Sequence, residues 1–277
     1  LPDTAVADPA TIAPLPERGY RIVIPGIGGT GVVTISALLA TAATIDGLHV
    51  QSLDQTGLAQ KGGAVVSHLH VSRTPILAAA QTNSANADLI LGCDLLGAIA
   101  PSNLKTAHPE RTVAVVNSDV TPTSFSIRQR LPILGPESQV VQLNGATRAS
   151  ANLYVDATRI AESLFGSHLA VNVFLLGVAF QAGYLPISRP AIETALRLNA
   201  VDLDRNLAAF LWGRQWVADR AQVESLLPST APSAPREIDR FAELTAYQNR
   251  AYALEWQRFV EAQPAEIRPV VAKYLYK

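Results

Sequence analysis

The stretch Arg21-Ile22-Val23-Ile24-Pro25-Gly26-Ile27-Gly28-Gly29-Thr30-Gly31-Val32-Val33-Thr34 decides how this chain is read. Arg21–Ile24 is a short apolar strand, and Thr30–Thr44 is a helix with almost no polar face. The glycines fall at the turn between them, where a tight bend and close approach of the backbone to a phosphate require residues without Cβ. Strand, G-x-G-x-x-G loop and helix together form the context that lifts the motif above a chance match. The same glycines also suit a strand–helix turn that packs closely and binds nothing.

A second cluster, Gln55-Thr56-Gly57-Leu58-Ala59-Gln60-Lys61-Gly62-Gly63, follows the next strand. It sets one cation beside a glycine pair and polar amides, a loop able to meet a phosphate or carboxylate through backbone N–H groups with Lys61 as a point charge. A solvated lysine on a flexible turn is the plainer alternative. In a parallel sheet, loops after successive strands lie along one edge, which places both clusters on one crevice. Asp54 has the spacing of the acid that holds the ribose hydroxyls in a NAD site, but it leads into a turn-rich segment instead of a helix.

Further strands are expected at Leu48–Leu53, Ala64–Val71, Ala87–Leu91, Thr112–Val116 and Leu153–Ala157, mostly as apolar runs without strict alternation. Helices at Thr30–Thr44 and Asp94–Ala107 lie between strands, giving βαβ units. The fold class is therefore α/β: a doubly wound, mostly parallel Rossmann-like sheet with helices, followed by a C-terminal helical segment. Ala64–Val71 has no room for a helix before it, so it is either an antiparallel addition or a rearranged strand. Thr121–Gly145 reads as a long irregular excursion. Helices follow at Thr158–Phe165, Leu169–Ala182, Ser188–Asn199 and Asp202–Val217, expected to cover one face of the sheet. Residues 1–19 form a Pro-bearing extended linker, 20–227 the main domain, 228–236 a Pro-rich linker, and 237–277 the helical start of a further domain, with helices near Glu237–Ala262 and Ala265–Tyr276.

Composition narrows the function classes. The chain has 277 residues, 48% of them hydrophobic, 16% charged, with a net charge of −1. No basic field exists to hold nucleic acid or an anionic membrane surface, and no run is apolar enough to span a bilayer, since Asn172 and Gln181 interrupt Ala170–Gly183. A single cysteine, Cys93, excludes an intramolecular disulfide and an iron–sulfur cluster ligated by this chain alone, and points to a reducing, cytoplasmic compartment. The absence of methionine and the Leu-Pro-Asp start suggest a piece of a longer polypeptide. His68 and His70 share a strand face and are read as structural. Cys93 is read as a buried small residue, and Asp94 as a helix cap. His49, His108 and His168 lack partners at ligand spacing, so no metal site is expected. No nucleophile–base pair stands out, and catalytic residues are not assigned.

Gly26–Thr34, the block Thr56–Val65 with Ser67 and His68, and Gly92-Cys93-Asp94-Leu95 resemble the γ domain of 2-oxoacid:ferredoxin oxidoreductases, most nearly the long-form indolepyruvate ferredoxin oxidoreductases. Val115-Val116-Asn117, Asp156-Ala157-Thr158-Arg159, Asn206–Phe210 with Trp212-Gly213-Arg214, and Leu244–Gln248 are similar too. Gln55 and Asp202-Leu203-Asp204-Arg205 depart from the family's pattern, where more apolar residues are expected.

The resemblance implies oxidative decarboxylation of a 2-oxoacid to acyl-coenzyme A with electrons passed to ferredoxin. Thiamine diphosphate and 4Fe–4S clusters would sit in other domains of a homo-oligomeric enzyme, leaving the fragment inactive alone. Gly26, Gly28, Gly29, Gly31, Gln60, Lys61, Gly62 and Gly63 are then the positions expected to line the crevice on the coenzyme A side. Two alternatives stay open: a free-standing NAD(P)- or FAD-binding Rossmann oxidoreductase, and a module whose loops contact only protein.

Overall fold

The computed structural model describes residues 6–57, 63–119, 136–228 and 239–275. Six strands form one sheet in the order β2-β3-β1-β4-β5-β6. They are β1 (Tyr20–Ile27), β2 (His49–Thr56), β3 (Ala64–Ser72), β4 (Leu89–Gly92), β5 (Val113–Asn117) and β6 (Leu153–Val155). β1, β4, β5 and β6 run parallel, whereas β3 pairs antiparallel with β1 on one side and with β2 on the other. The expected Ala64–Val71 strand is thus the antiparallel addition, inserted between β1 and β2 as the return arm of a hairpin.

Alternate residues along the central strands face two cores. Ile22, Ile24, Leu89, Leu91, Val113 and Val115 point to one side. There α1 (Val32–Ile45) and the helices after β6 cover them: α5 (Ala157–Phe165), α6 (Val171–Gln181), α7 (Arg189–Asn199) and α8 (Leu203–Ala218). Val23, Ile90, Ala114 and Val116 face the other side, against α2 (Leu95–Ile99) and α4 (Pro136–Ala146). Both faces of β1, β4 and β5 are covered, which is why these strands read as continuous apolar runs. A fully buried Leu or Ile among these contributes on the order of 1.5–3 kcal/mol.

Two expected elements of the main domain differ. Asp94–Ala107 is not one helix, because Ala100 adopts an extended conformation (φ −54°, ψ 134°) ahead of Pro101; α2 ends there and α3 (Pro101–Leu104) begins anew. The irregular excursion expected over Thr121–Gly145 contains α4, whose Leu143 is fully buried, so its end is core helix despite the Pro and Gly content.

The chain divides into two compact units, Leu1–Pro228 and Ser229–Lys277. After α9 (Arg220–Ser225), the second unit carries α10 (Arg240–Tyr247), α11 (Arg250–Glu261) and α12 (Arg268–Leu275). The single long helix expected to Ala262 is broken at Asn249, whose side chain caps α11 by accepting from Tyr252 N at 2.9 Å. Among the described residues no helix is long and apolar enough to cross a membrane.

Candidate functional site

β1 and β4 part company at Pro25. The proline has no N–H for the ladder, and its carbonyl makes a further link to β4, accepting from Cys93 N at 2.9 Å. Beyond this point the chain rises into the glycine loop on one side and into α2 on the other. β3 leads to neighbours on one flank of β1 and β4 on the other, so this is the topological switch point of the sheet, where open α/β folds bind ligands. A cleft of about 970 Å³ opens there, bounded by the glycine loop, α1, the ends of β4 and β5, and the starts of α5, α6 and α8.

Gly28, Gly29 and Gly31 line the cleft; Gly26 does not. Gly26 lies where a Cβ would press on Val32, Thr30 and Cys93, so its role is close packing of loop, helix and strand. Gly29 and Gly31 take φ of +98° and +76°. Gly31 is the N-cap of α1 and supplies no side-chain cap. A Cβ there would strike the amide nitrogen of Asn172, which donates to the carbonyl of Thr30 and ties α6 to the loop. Two loop amides are already committed. Gly28 N donates to Gly63 O at 2.7 Å, and Thr30 N to Ile27 O at 3.0 Å. The first bond joins the two glycine clusters at Gly63. Gln60, Lys61 and Gly62 lie outside the described residues.

Below the loop, Asp94 caps α2, its Oδ1 accepting from Gly97 N at 2.6 Å, while its Oδ2 is buried without a bonded partner. Burial pushes this carboxyl up from the ordinary aspartate range; the amides of Gly97, Ile27 and Leu96 oppose that, and Asp119 adds to it. Cys93 beside it is buried, and burial pushes its thiol up as well. Asn117, at the end of β5, donates to Thr158 Oγ1 at 2.9 Å and accepts from Ala157 N at 3.1 Å, fixing the start of α5 at the cleft wall.

Asn117, Asn172 and Arg205 reach the cleft without having been picked out as site residues. Asn117 had a legible signal as the polar end of an apolar strand. Asn172 and Arg205 reach it only through the packing of helices far along the chain. Asp54 belongs to no such site. β3 stands between β2 and β1, so Asp54 is a full strand spacing farther from the loop than a ribose-binding acid. Its exposed carboxylate instead accepts from Ser67 on β3. His68 and His70 lie at the other end of the sheet from the glycine loop, buried beside Arg21, with His70 Nε2 3.1 Å from the carbonyl of Arg18. Among the described residues no group of three or more His, Cys, Asp or Glu side chains could hold a metal ion.

Residues 21–216 match the family model of pyruvate ferredoxin/flavodoxin oxidoreductases. The indolepyruvate oxidoreductase subunit IorB of Archaeoglobus fulgidus is 29% identical over 202 residues, covering 70% of this chain and 92% of that protein. The common γ subunit of the pyruvate/ketoisovalerate oxidoreductases of Pyrococcus furiosus is 25% identical over 172 residues, 62% of this chain and 82% of that one. The solved PORC subunit of the Thermotoga maritima pyruvate oxidoreductase shares the fold, with a TM-score of 0.52 at 20% identity over 71% of this chain and 96% of that one. So does the 2-oxoglutarate:ferredoxin oxidoreductase of Magnetococcus marinus, solved with 2-oxoglutarate, coenzyme A and succinyl-CoA bound, at a TM-score of 0.53 and 17% identity over 77% of this chain and 32% of that one. The inserted β3 and these relatives leave a free-standing NAD(P) or FAD enzyme without support. A γ-subunit-like sheet, its switch-point cleft and a family match across most of the first unit converge: the chain belongs to the pyruvate ferredoxin/flavodoxin oxidoreductase family.

Proposed function

We propose that this chain is the γ component of a 2-oxoacid:ferredoxin oxidoreductase of the indolepyruvate type, and that its cleft serves the coenzyme A side of the reaction. The observation that carries this reading is the cleft at the switch point, roomy enough for an extended ligand and roofed by a glycine loop whose Gly28 amide is already bonded to the second cluster. A dinucleotide loop needs such amides for its pyrophosphate. Here they brace the loop, and a longer, partly apolar ligand suits the mixed lining of Ile35, Leu38, Thr34 and Asn172. Gly28, Gly29 and Gly31, with Gln60, Lys61, Gly62 and Gly63 of the second cluster, are the residues assigned to that side; Gly26 supports them.

The overall reaction is oxidative decarboxylation of a 2-oxoacid such as indolepyruvate, with the acyl group passed to coenzyme A and electrons to ferredoxin. Thiamine diphosphate and iron–sulfur clusters supply the carbanion and electron-transfer chemistry of such enzymes. The residues of this chain do not fit those groups: its one thiol is buried, and its described acids and histidines form no metal cluster. They belong to partner domains in a cytoplasmic homo-oligomer, and the chain alone is expected to be inactive.

The test is calorimetric titration of the 277-residue chain with coenzyme A and with NAD, followed by the Lys61→Ala variant in the assembled enzyme. Saturable binding of coenzyme A but not NAD is expected, together with a raised KM for coenzyme A in the variant. Tight NAD binding, or an unchanged KM and kcat, would reject the reading.

A further inference from the structure

The corner between α7 and α8 is built to hold one side chain pair at the cleft. Ala200 and Asp202 both adopt left-handed backbone conformations, with φ of +51° and +46°, and between them Val201 stands 64% exposed. Asn206 Nδ2 donates to Val201 O at 2.7 Å, locking the corner to the first turn of α8. Asn199, Val201, Asp202, Arg205 and Asn206 all line the cleft. Asp202 occupies the N-cap position of α8 and is a good capping residue, yet its side chain makes no cap. Its Oδ2 instead lies 2.8 Å from Arg205 Nη1.

Arg205 is the only lysine or arginine among the described residues lining the cleft, whereas Asp94, Asp119, Glu162 and Asp202 also line it. An anionic ligand entering this cleft meets a net negative wall and one guanidinium, already covered by a carboxylate. Arginine matches the fork geometry of a phosphate as well as that of a carboxylate.

We propose that Arg205 seats a phosphate group of the cleft's ligand, and that Asp202 holds the place of that phosphate while the cleft is empty. The inference rests on the coenzyme A reading and deepens it: the phosphorylated end of the molecule lies at the α7–α8 corner, and its pantetheine arm runs toward the glycine loop. Entry of the phosphate displaces Asp202 from Arg205 and frees its carboxylate to cap α8. Arg205 sets affinity, and Asp202 competes with the ligand.

The test titrates the 277-residue chain and its Arg205→Ala, Arg205→Lys and Asp202→Asn variants with coenzyme A, dephospho-coenzyme A, pantetheine and inorganic pyrophosphate. Asparagine tolerates the left-handed conformation as well as aspartate does, so the Asp202 variant keeps the corner intact. Thermal melts confirm that each variant folds. Arg205→Ala should weaken coenzyme A by about tenfold or more, and Arg205→Lys by less. Asp202→Asn should tighten it about threefold, and pantetheine should respond to none of the changes. A loss in Arg205→Ala that disappears with dephospho-coenzyme A places the 3′-phosphate on Arg205; one that persists places the diphosphate there.

Coenzyme A affinity unchanged in Arg205→Ala and Asp202→Asn would overturn the seat while leaving the coenzyme A reading intact. Wild-type binding of pyrophosphate but not coenzyme A, with the same dependence on both residues, would overturn that reading and keep the seat. Binding of neither would overturn both.

Discussion

Gly177 on α6 and Gly213 on α8 pack against each other's helices reciprocally: a Cβ on Gly177 would collide with the carbonyl oxygen of Phe210, and one on Gly213 with that of Phe174. The two helix backbones therefore touch without intervening side chains, and Phe180 and Phe210 close the seam with ring centroids 5.7 Å apart. Both helices begin at the cleft, so this contact sets the distance between two of its walls.

Gly177→Ala and Gly213→Ala should each cost about 3 kcal/mol or more, because the obstacle is backbone that cannot rotate away. Gly145→Ala on α4, where a Cβ meets nothing within 4 Å, is the control. It should be neutral or stabilising by about 0.5 kcal/mol. Urea unfolding of the three variants checks this, and equal midpoints would contradict the close-packed seam.

Gly31→Ala should lower stability by about 1–3 kcal/mol, since alanine would take a left-handed conformation and push Asn172 off the carbonyl of Thr30. Ligand binding should fall further than stability does, because the same shift misplaces the loop. Calorimetry at a temperature where the variant is folded separates the two effects.

Stability should decline as pH falls below about 6.5. His68 and His70 are buried, and burial first, then the Arg21 cation, holds both imidazoles below their ordinary value. In that range the unfolded chain takes up protons that the folded one refuses, so the stabilisation is full above the unfolded value and drains away as pH drops through it. Tm measured between pH 8 and 5.5 should fall more steeply in the wild type than in a His68→Gln, His70→Gln double variant. Parallel curves would show that these histidines do not drive the loss.

Arg214 is 3% exposed and gathers the N-terminal segment, donating to Val6 O at 2.8 Å, Ala7 O at 3.1 Å and Asp8 Oδ1 at 2.9 Å, with Nε on Gln181 Oε1 at 3.0 Å. Arg214→Ala strands these acceptors and should cost about 2–4 kcal/mol. Limited proteolysis should cut the variant before Arg18 at a protease dose that leaves the wild type whole. Lysine should rescue little, since it cannot span the same set of acceptors.

How much of this was legible depended on whether the signal was local. The Arg21–Thr34 stretch announced strand, loop and helix because each has its own period and the glycines mark the turn. The apolar runs of β4 and β5 announced a sheet covered on both faces. Asp94 reads as a cap, and it is one, accepting from Gly97 N. The break at Ala100 is written in Pro101, whose ring disfavours helical backbone in the residue before it. Asn172, Arg205 and the Gly177–Gly213 seam had no local signature, for they matter only once helices remote in sequence meet. Asp54 misled because spacing along a chain cannot reveal that another strand intervenes in the sheet.

That intervening strand also bears on how the molecule assembles itself. β1 has no partner next to it in sequence: β3 must return past β2, and β4 must arrive after it, before β1 is flanked on both sides. Non-local pairings of this kind are slow to close. The bond from Gly28 N to Gly63 O is therefore expected to form late, with the glycine loop among the last parts of the sheet to acquire its shape. In pulse-labelled refolding, the Gly28 amide should gain protection after the helical amides of α6 and α8, which makes the ligand cleft a feature of the finished fold and of no earlier species.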